Sequence, residues 1–517
     1  MKPLTIFSFI LFLVSCKEQT EKPVKLGSID FEVTGKQTAI PHFERGLLLL
    51  HSFEYEDARL AFLEAQGFDK NMAMAYWGEA MTYNHGLWRE QDYEDGILAL
   101  QKLEEVDLGH LTDVEKDLLQ AVHILYEAKT SKKERDKNYS DHMKALYDRY
   151  PDQNEIASFY ALSLLGSVSE GRNDSIYGMG AQVANKVLAQ NAQHPGALHY
   201  LIHSYDDPYH AHLALGAADA YAKVAPDASH ALHMPSHIYV ALGMWDKVVA
   251  SNIDSYQASL TRMETKDLDN DARGYHAFHW LQYGYLQQGN IEEAEKMVWD
   301  MKQFCDEKPS KRAKAHLLFL KGTYLAETGL WENPIANIEI DISGFNIAVK
   351  AQNYFIEGMK VFKAKNREVL GKVISDLESE IKKEALLVEN LSNGGSLCAS
   401  ADRSIPNNMD VKRAEVVKIQ LMGLQAWLRK DLIVAESFFK ESVDLENEVT
   451  YSYGPPNILV PTKELYADFL LKQGRPEEAK IRYEEALKRG TKRRLPLLGV
   501  ENSDTLINKS KVGGNVI

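Results

Sequence analysis

The sequence predicts an all-α fold, an α-solenoid of stacked helix–turn–helix units, and three observations carry that prediction. Hydrophobic periodicity is helical along most of the chain, with few runs of β-branched residues. Small residues recur where two antiparallel helices must approach: Ala58 and Ala65 follow Gly46, Ala435 follows Gly423 and Ala426, and Ala479 and Ala486 follow Gly474. Two histidine pairs, His199/His203 and His233/His237, repeat each other at an offset of 34 residues, the period of one helix–turn–helix unit in such an array.

In chain order, the first element is a targeting segment. Lys2 supplies a positive start, and Leu4 to Val14 form an apolar run too short to span a bilayer. Leu13-Val14-Ser15-Cys16 resembles a bacterial lipobox. The resemblance implies a signal peptide over 1–15, lipid (palmitate among its chains) on Cys16, and an outer-membrane lipoprotein of the cell envelope. Residues 16–38 are expected as the tether, beginning with polar Lys17 to Lys25.

Residues 39–391 are expected as an N-terminal array. Its units are marked by Gly46 with Ala58 and Ala65, by the run Ala73 to Ala80, by Gly243 with Trp245, by Gly289 with Ala294, and by Gly322, Gly329 and Trp331. The polar insertion Thr261 to Ala272 stretches one offset from 34 to 46. Lys129 to Lys137 is a charged, solvated connector. Gly394-Gly395 lies in an expected linker over 392–410, and residues 411–517 carry the C-terminal units.

The last unit is the cleanest: Leu465-Tyr466-Ala467-Asp468-Phe469-Leu470-Leu471, then Gly474, then Ala479, Tyr483 and Ala486. It resembles the tetratricopeptide pattern, and Gly474 stands where the first helix must end in a left-handed conformation. The runs His194 to His203 and His230 to Tyr239, with Ala73 to Ala80 and Gly454-Pro455-Pro456, are similar to a family of bacterial tetratricopeptide proteins. The resemblance implies an α-solenoid and brings no substrate with it.

With each turn glycine set as position fifteen, His233 and His237 take positions five and nine and His230 position two. His199 and His203 again take five and nine, and Asp206 twelve; His276 and His279 take two and five, and His316 two. Positions 2, 5, 9 and 12 form one stripe of a helix. In tetratricopeptide proteins that stripe lines the concave groove, so the resemblance implies that these side chains face a common space.

Ten of the 17 histidines fall between His194 and His279, a density that surface decoration does not explain. The expected metal ligands are His199, His203, His230, His233, His237, His276 and His279, with Asp206 as an oxygen ligand or an orienting partner. Imidazoles with a carboxylate suit zinc, iron, copper or nickel rather than calcium or magnesium. Two other readings stay open for the same residues: a groove for an organic ligand and a packed polar network. His194, before Pro195, is read as a helix cap, His210 and His212 as outer-helix residues, and His142 as an unremarkable single. Glu79 and Tyr83 would reach the groove only if the superhelix curls tightly.

Other functions find less support. The net charge of −15 argues against nucleic acid, since phosphate binding needs a basic surface. Tyr200 follows His199 and Met234 follows His233, so the His-Glu-x-x-His signature is absent. No Gly-rich phosphate loop or Gly-x-Ser-x-Gly elbow occurs. Cys305 and Cys398 are read as structural or idle thiols. Beside the metal-binding groove stand three alternatives: a scaffold for a protein or peptide, an accessory glycan-uptake lipoprotein, and a metal-dependent enzyme.

Overall fold

The computed structural model describes residues 24–392, 407–451 and 453–513. Cys16, the apolar run before it, Cys398 and most of the expected 392–410 linker lie outside the described residues. Within them the chain is an all-α, tetratricopeptide-type solenoid, in which the one strand pair joins Asn84–His85 to Glu90–Gln91. Among the described residues no helix is long and apolar enough to cross a membrane.

Helix hairpins repeat along the chain. Ile40–His51 packs on Tyr55–Phe68, Trp245–Thr265 on Tyr275–Gln288, Asn408–Leu428 on Leu432–Asn447, and Thr462–Lys472 on Pro476–Arg489. Small residues make this approach possible. A Cβ on Gly46 or Gly78 would come within 2.8 or 2.4 Å of the Phe62 ring, which fills the seam between three helices. Gly243, Gly289, Gly329 and Gly474 end first helices with φ between 64° and 82°, as predicted. Three other turns use Phe53 (φ 55°), Lys365 (57°) and Lys430 (63°) in the same place. A left-handed residue with a Cβ costs about 1–2 kcal/mol, which packing must offset.

The hydrophobic core has two main parts, one running from Leu26 to Tyr283 and the other from Tyr275 to Tyr483, which meet along the helix Tyr275–Gln288. Residues 24–38, expected as tether, instead lie against the array. Leu26 and Phe31 are buried, the Lys25 amide donates to Asp227 (2.6 Å), and the Thr34 amide and hydroxyl donate to Glu115 (2.6 and 2.7 Å). Ile29 and Val33 pack beside them on the same core, so an alternating set of apolar side chains docks the segment.

The superhelix closes on itself, so the concave face is a chamber rather than the open groove expected. The Trp245 indole donates to the Lys492 carbonyl (2.9 Å), and the Arg494 amide to Gln287 (2.8 Å). Arg493 joins Glu327 (2.5 Å) to Glu464 inside this contact. Between the helices Leu432–Asn447 and Thr462–Lys472 the chain runs without a helix, and its Gly454-Pro455-Pro456 segment turns inward over the middle units.

Candidate metal centre

The histidine pairs sit on short helices whose ends the sequence sets locally. His194 caps Pro195–Ser204, its Nδ1 accepting the Ala197 amide (3.2 Å), as predicted. His199 and His203 lie one turn apart on that helix. The second pair spans a break: Ser229–His233 ends, and Pro235–Ala241 begins with Pro235, whose missing N–H costs nothing in a first turn. His233 and His237 keep a common face across it.

His199, His203 and His230 form the first set, with ligating nitrogens all within 4.8 Å of one another. His199 Nδ1–H donates to the His51 carbonyl (2.7 Å), and His203 Nδ1–H donates to Asp206 Oδ2 (3.1 Å). Both acceptors lack a proton to give, so each ring keeps its Nε2 as a bare lone pair. The Nε2 atoms of His199, His203 and His230 are buried and have no hydrogen-bond partner. The Phe53 ring covers this set, 4.3 Å from the His199 ring centre and 5.7 Å from that of His230.

His233, His237 and His276 form the second set. Asn252 is oriented by its own amide, which donates to the Val248 carbonyl (2.8 Å); its Oδ1 therefore faces His233 Nδ1 (2.7 Å) and accepts from it. His237 Nδ1 donates to Asp206 Oδ2 (3.3 Å). The two remaining nitrogens, His233 Nε2 and His237 Nε2, stand 3.2 Å apart with lone pairs facing each other. Trp280 stacks on His237 at 4.7 Å and meets His233 edge-on at 4.8 Å.

Asp206 therefore steadies one ring from each set through a single oxygen, while its other oxygen is held by Arg172 (3.1 Å), which also pairs with Asp207 (2.9 Å). This is the arrangement by which a carboxylate fixes the tautomer of a metal-ligating histidine. Burial pushes the pKa of His233 down to about 4 and those of His199, His230 and His237 well below the usual imidazole value; His276, at the exposed edge of the second set, is lowered in the same direction, and neighbouring histidines add to the shift of all five. These five imidazoles are neutral at neutral pH, as ligands must be.

Behind the first set lies a cluster that sequence reading missed. Glu155 accepts from His51 Nε2 (2.6 Å) and His194 Nε2 (3.0 Å), and Tyr200 donates to His51 Nδ1 (2.9 Å). The two buried imidazoles hold the Glu155 carboxyl well below the ordinary range despite its desolvation. Every ring nitrogen here has a partner, so this is a support network, and it fixes the His51 carbonyl that orients His199.

A cavity of about 330 Å³ adjoins both sets, and His203 and His276 line it. Tyr453, from the inward segment, lies 4.7 Å from the His237 ring and 6.3 Å from His203. His279 and His316 are on the cavity wall but join neither set: His279 Nε2 pairs with the Thr323 hydroxyl (2.8 Å) and His316 Nδ1 donates to the Arg312 carbonyl (2.9 Å). Glu79 is not in the chamber; it binds Lys102 (2.6 Å) and Gln66 (2.7 Å) inside the first units, and Tyr83 lies under Arg59. His210 and His212 sit at a short 3₁₀ turn rather than on an outer helix, His210 held by Asp207 (2.9 Å).

No protein-family profile matches the chain, and no curated protein sequence does. It is similar to solved structures that include yeast Tom70, at 9% identity over 92% of this chain and 89% of that one, with a TM-score of 0.33. The human IFIT1 dimer with m7Gppp-AAAA matches at 12% identity over 93% and 91%, with a TM-score of 0.33. The TPR domain of P58(IPK) matches at 13% over 92% and 99%, with a TM-score of 0.22.

Proposed function

We propose that the chamber is a transition-metal centre in which His199, His203 and His230 hold one ion and His233, His237 and His276 a second. One observation carries the reading: His233 Nε2 and His237 Nε2 lie 3.2 Å apart although both rings spend their proton on Nδ1. Two lone pairs so placed repel unless a cation sits beside them. A tetrahedral ion with bonds of about 2.0–2.1 Å to imidazole sets two nitrogens about 3.3 Å apart. The first set is looser, within 4.8 Å, so an ion there draws its rings inward. Neutral imidazoles in a desolvated site select zinc, iron or copper over calcium and magnesium.

Elemental analysis of tag-free protein tests this. Two equivalents of metal are expected, falling to about one in His199→Ala and in His237→Ala and unchanged in His142→Ala. Metal-free protein that takes up no ion on titration, or equal loss in all three variants, refutes the proposal. The N-terminal sequence further supports attachment to the cell envelope by lipid on Cys16. Cys16→Ser then moves the protein from the membrane fraction to the soluble one, and an unchanged distribution rejects the anchor.

A further inference from the structure

We infer that the cavity beside the histidines binds a small oxyanion, of the carboxylate class, which reaches the metal centre from the side of Tyr453; this rests on the metal reading above. Charge balance is the first argument. Imidazoles bring no charge, and the one carboxylate that touches rings of both sets, Asp206, is already shared with Arg172, while Glu54 and Glu155 stand behind the first set, on the His230 amide and the His51 ring. The shortfall calls for an anion from outside.

The cavity wall supplies the second argument. In a chain of net charge −15, the charged side chains lining this space are Arg89, Arg172, Arg413 and Asp206. Arg89 donates to the Val168 and Gly171 carbonyls (3.1 and 3.0 Å), which orient it without cancelling its charge. Arg413 gives Nη1 to Asp410 (2.7 Å), and its buried Nε has no partner. A guanidinium N–H left unmatched in a desolvated wall favours an acceptor that brings negative charge. The cavity volume, about 330 Å³, suits a small molecule.

The third argument is access. Of the six proposed ligands, His203 and His276, one from each set, line the cavity and the other four do not. An anion held by Arg413 and Arg89 thus meets the histidine sets on their open side, where each ion with three protein ligands has a coordination position left.

The test uses the Cys16→Ser protein, which the anchor reading makes soluble, loaded with cobalt(II), whose visible spectrum reports its coordination, and titrated with oxalate and, separately, with glycerol as a neutral control. Oxalate is expected to shift the cobalt spectrum saturably, and glycerol to leave it unchanged. Arg413→Gln and Arg413→Lys should each bind cobalt as wild type does and weaken oxalate by about tenfold or more. Cobalt-loaded protein blind to oxalate, or an Arg413→Gln protein that binds oxalate as wild type does, overturns the inference and leaves the metal centre standing. A chain that takes up no cobalt ends both.

Discussion

Lowering the pH should separate this centre from an ordinary histidine site. An imidazole near the usual value of about 6.5 is protonated about ten to one at pH 5.5, so three such ligands together lose about a thousandfold in metal affinity. Here His233 is held at about 4 by burial, and His199, His230, His237 and His276 are also well below normal. A group at about 4 is only about 3% protonated at pH 5.5, so proton competition there is negligible. Zinc affinity of the second set, measured by equilibrium dialysis on His199→Ala so that this set alone is read, should change by less than about twofold between pH 7.5 and 5.5 and then fall steeply below about pH 4.5. The metal-free protein should behave in the opposite sense. Because the folded histidines resist protonation while unfolded ones accept it, the folded state loses stability as pH drops below about 6.5, by about 1.4 kcal/mol per pH unit for each such histidine. For His233 this loss levels off below about 4. A thousandfold loss of zinc by pH 5.5, or an apo stability flat between pH 6.5 and 4.5, would show that these rings are not buried in solution.

Three further outcomes are expected. Asp206→Asn should weaken metal binding by about 10–100-fold, since the Nδ1 protons of His203 and His237 lose their carboxylate; competition with a chelator measures it, and no change would deny Asp206 its orienting role. Glu155→Gln should destabilise the fold by about 3–5 kcal/mol in urea unfolding, because the His51–Glu155–His194 network is fully buried, and stability within 1 kcal/mol of wild type would contradict that. Gly454→Ala should cost about 1–3 kcal/mol, because φ is 89° there and the new Cβ would lie 2.3 Å from Trp280 Cζ2. Its readout is a loss of Trp280 shielding in fluorescence quenching, and an unaltered melt and spectrum would mean the inward segment does not rest on that ring.

The repeat was legible because its signals are local. Gly243, Gly289, Gly329 and Gly474 announce their turns by needing a conformation that other residues avoid, and they adopt it. The turns at Phe53, Lys365 and Lys430 were hidden, because there tertiary packing rather than residue type holds the backbone left-handed. The histidine stripe could be read from spacing, and six of its rings do gather in two sets. What brings them to order could not: the His51 carbonyl, Glu155, Asn252 and Tyr453 come from distant stretches, and no periodicity links them. His51 is a lone histidine ending an apolar helix, with nothing in its neighbourhood to mark it. By its repeat position Glu79 would reach the chamber only in a tightly curled superhelix; Lys102, in the 3₁₀ turn that follows the next helix, holds it elsewhere.

The roof of the chamber has a consequence for how the protein is made. All six histidines of the two sets precede residue 280, whereas the segment bearing Tyr453 and Gly454 follows some 170 residues later. A chain that folds from its beginning as it is synthesised displays its imidazoles to the surroundings well before the last units exist to cover them. If the two sets hold ions as proposed, capture can precede closure by the segment that bears Tyr453.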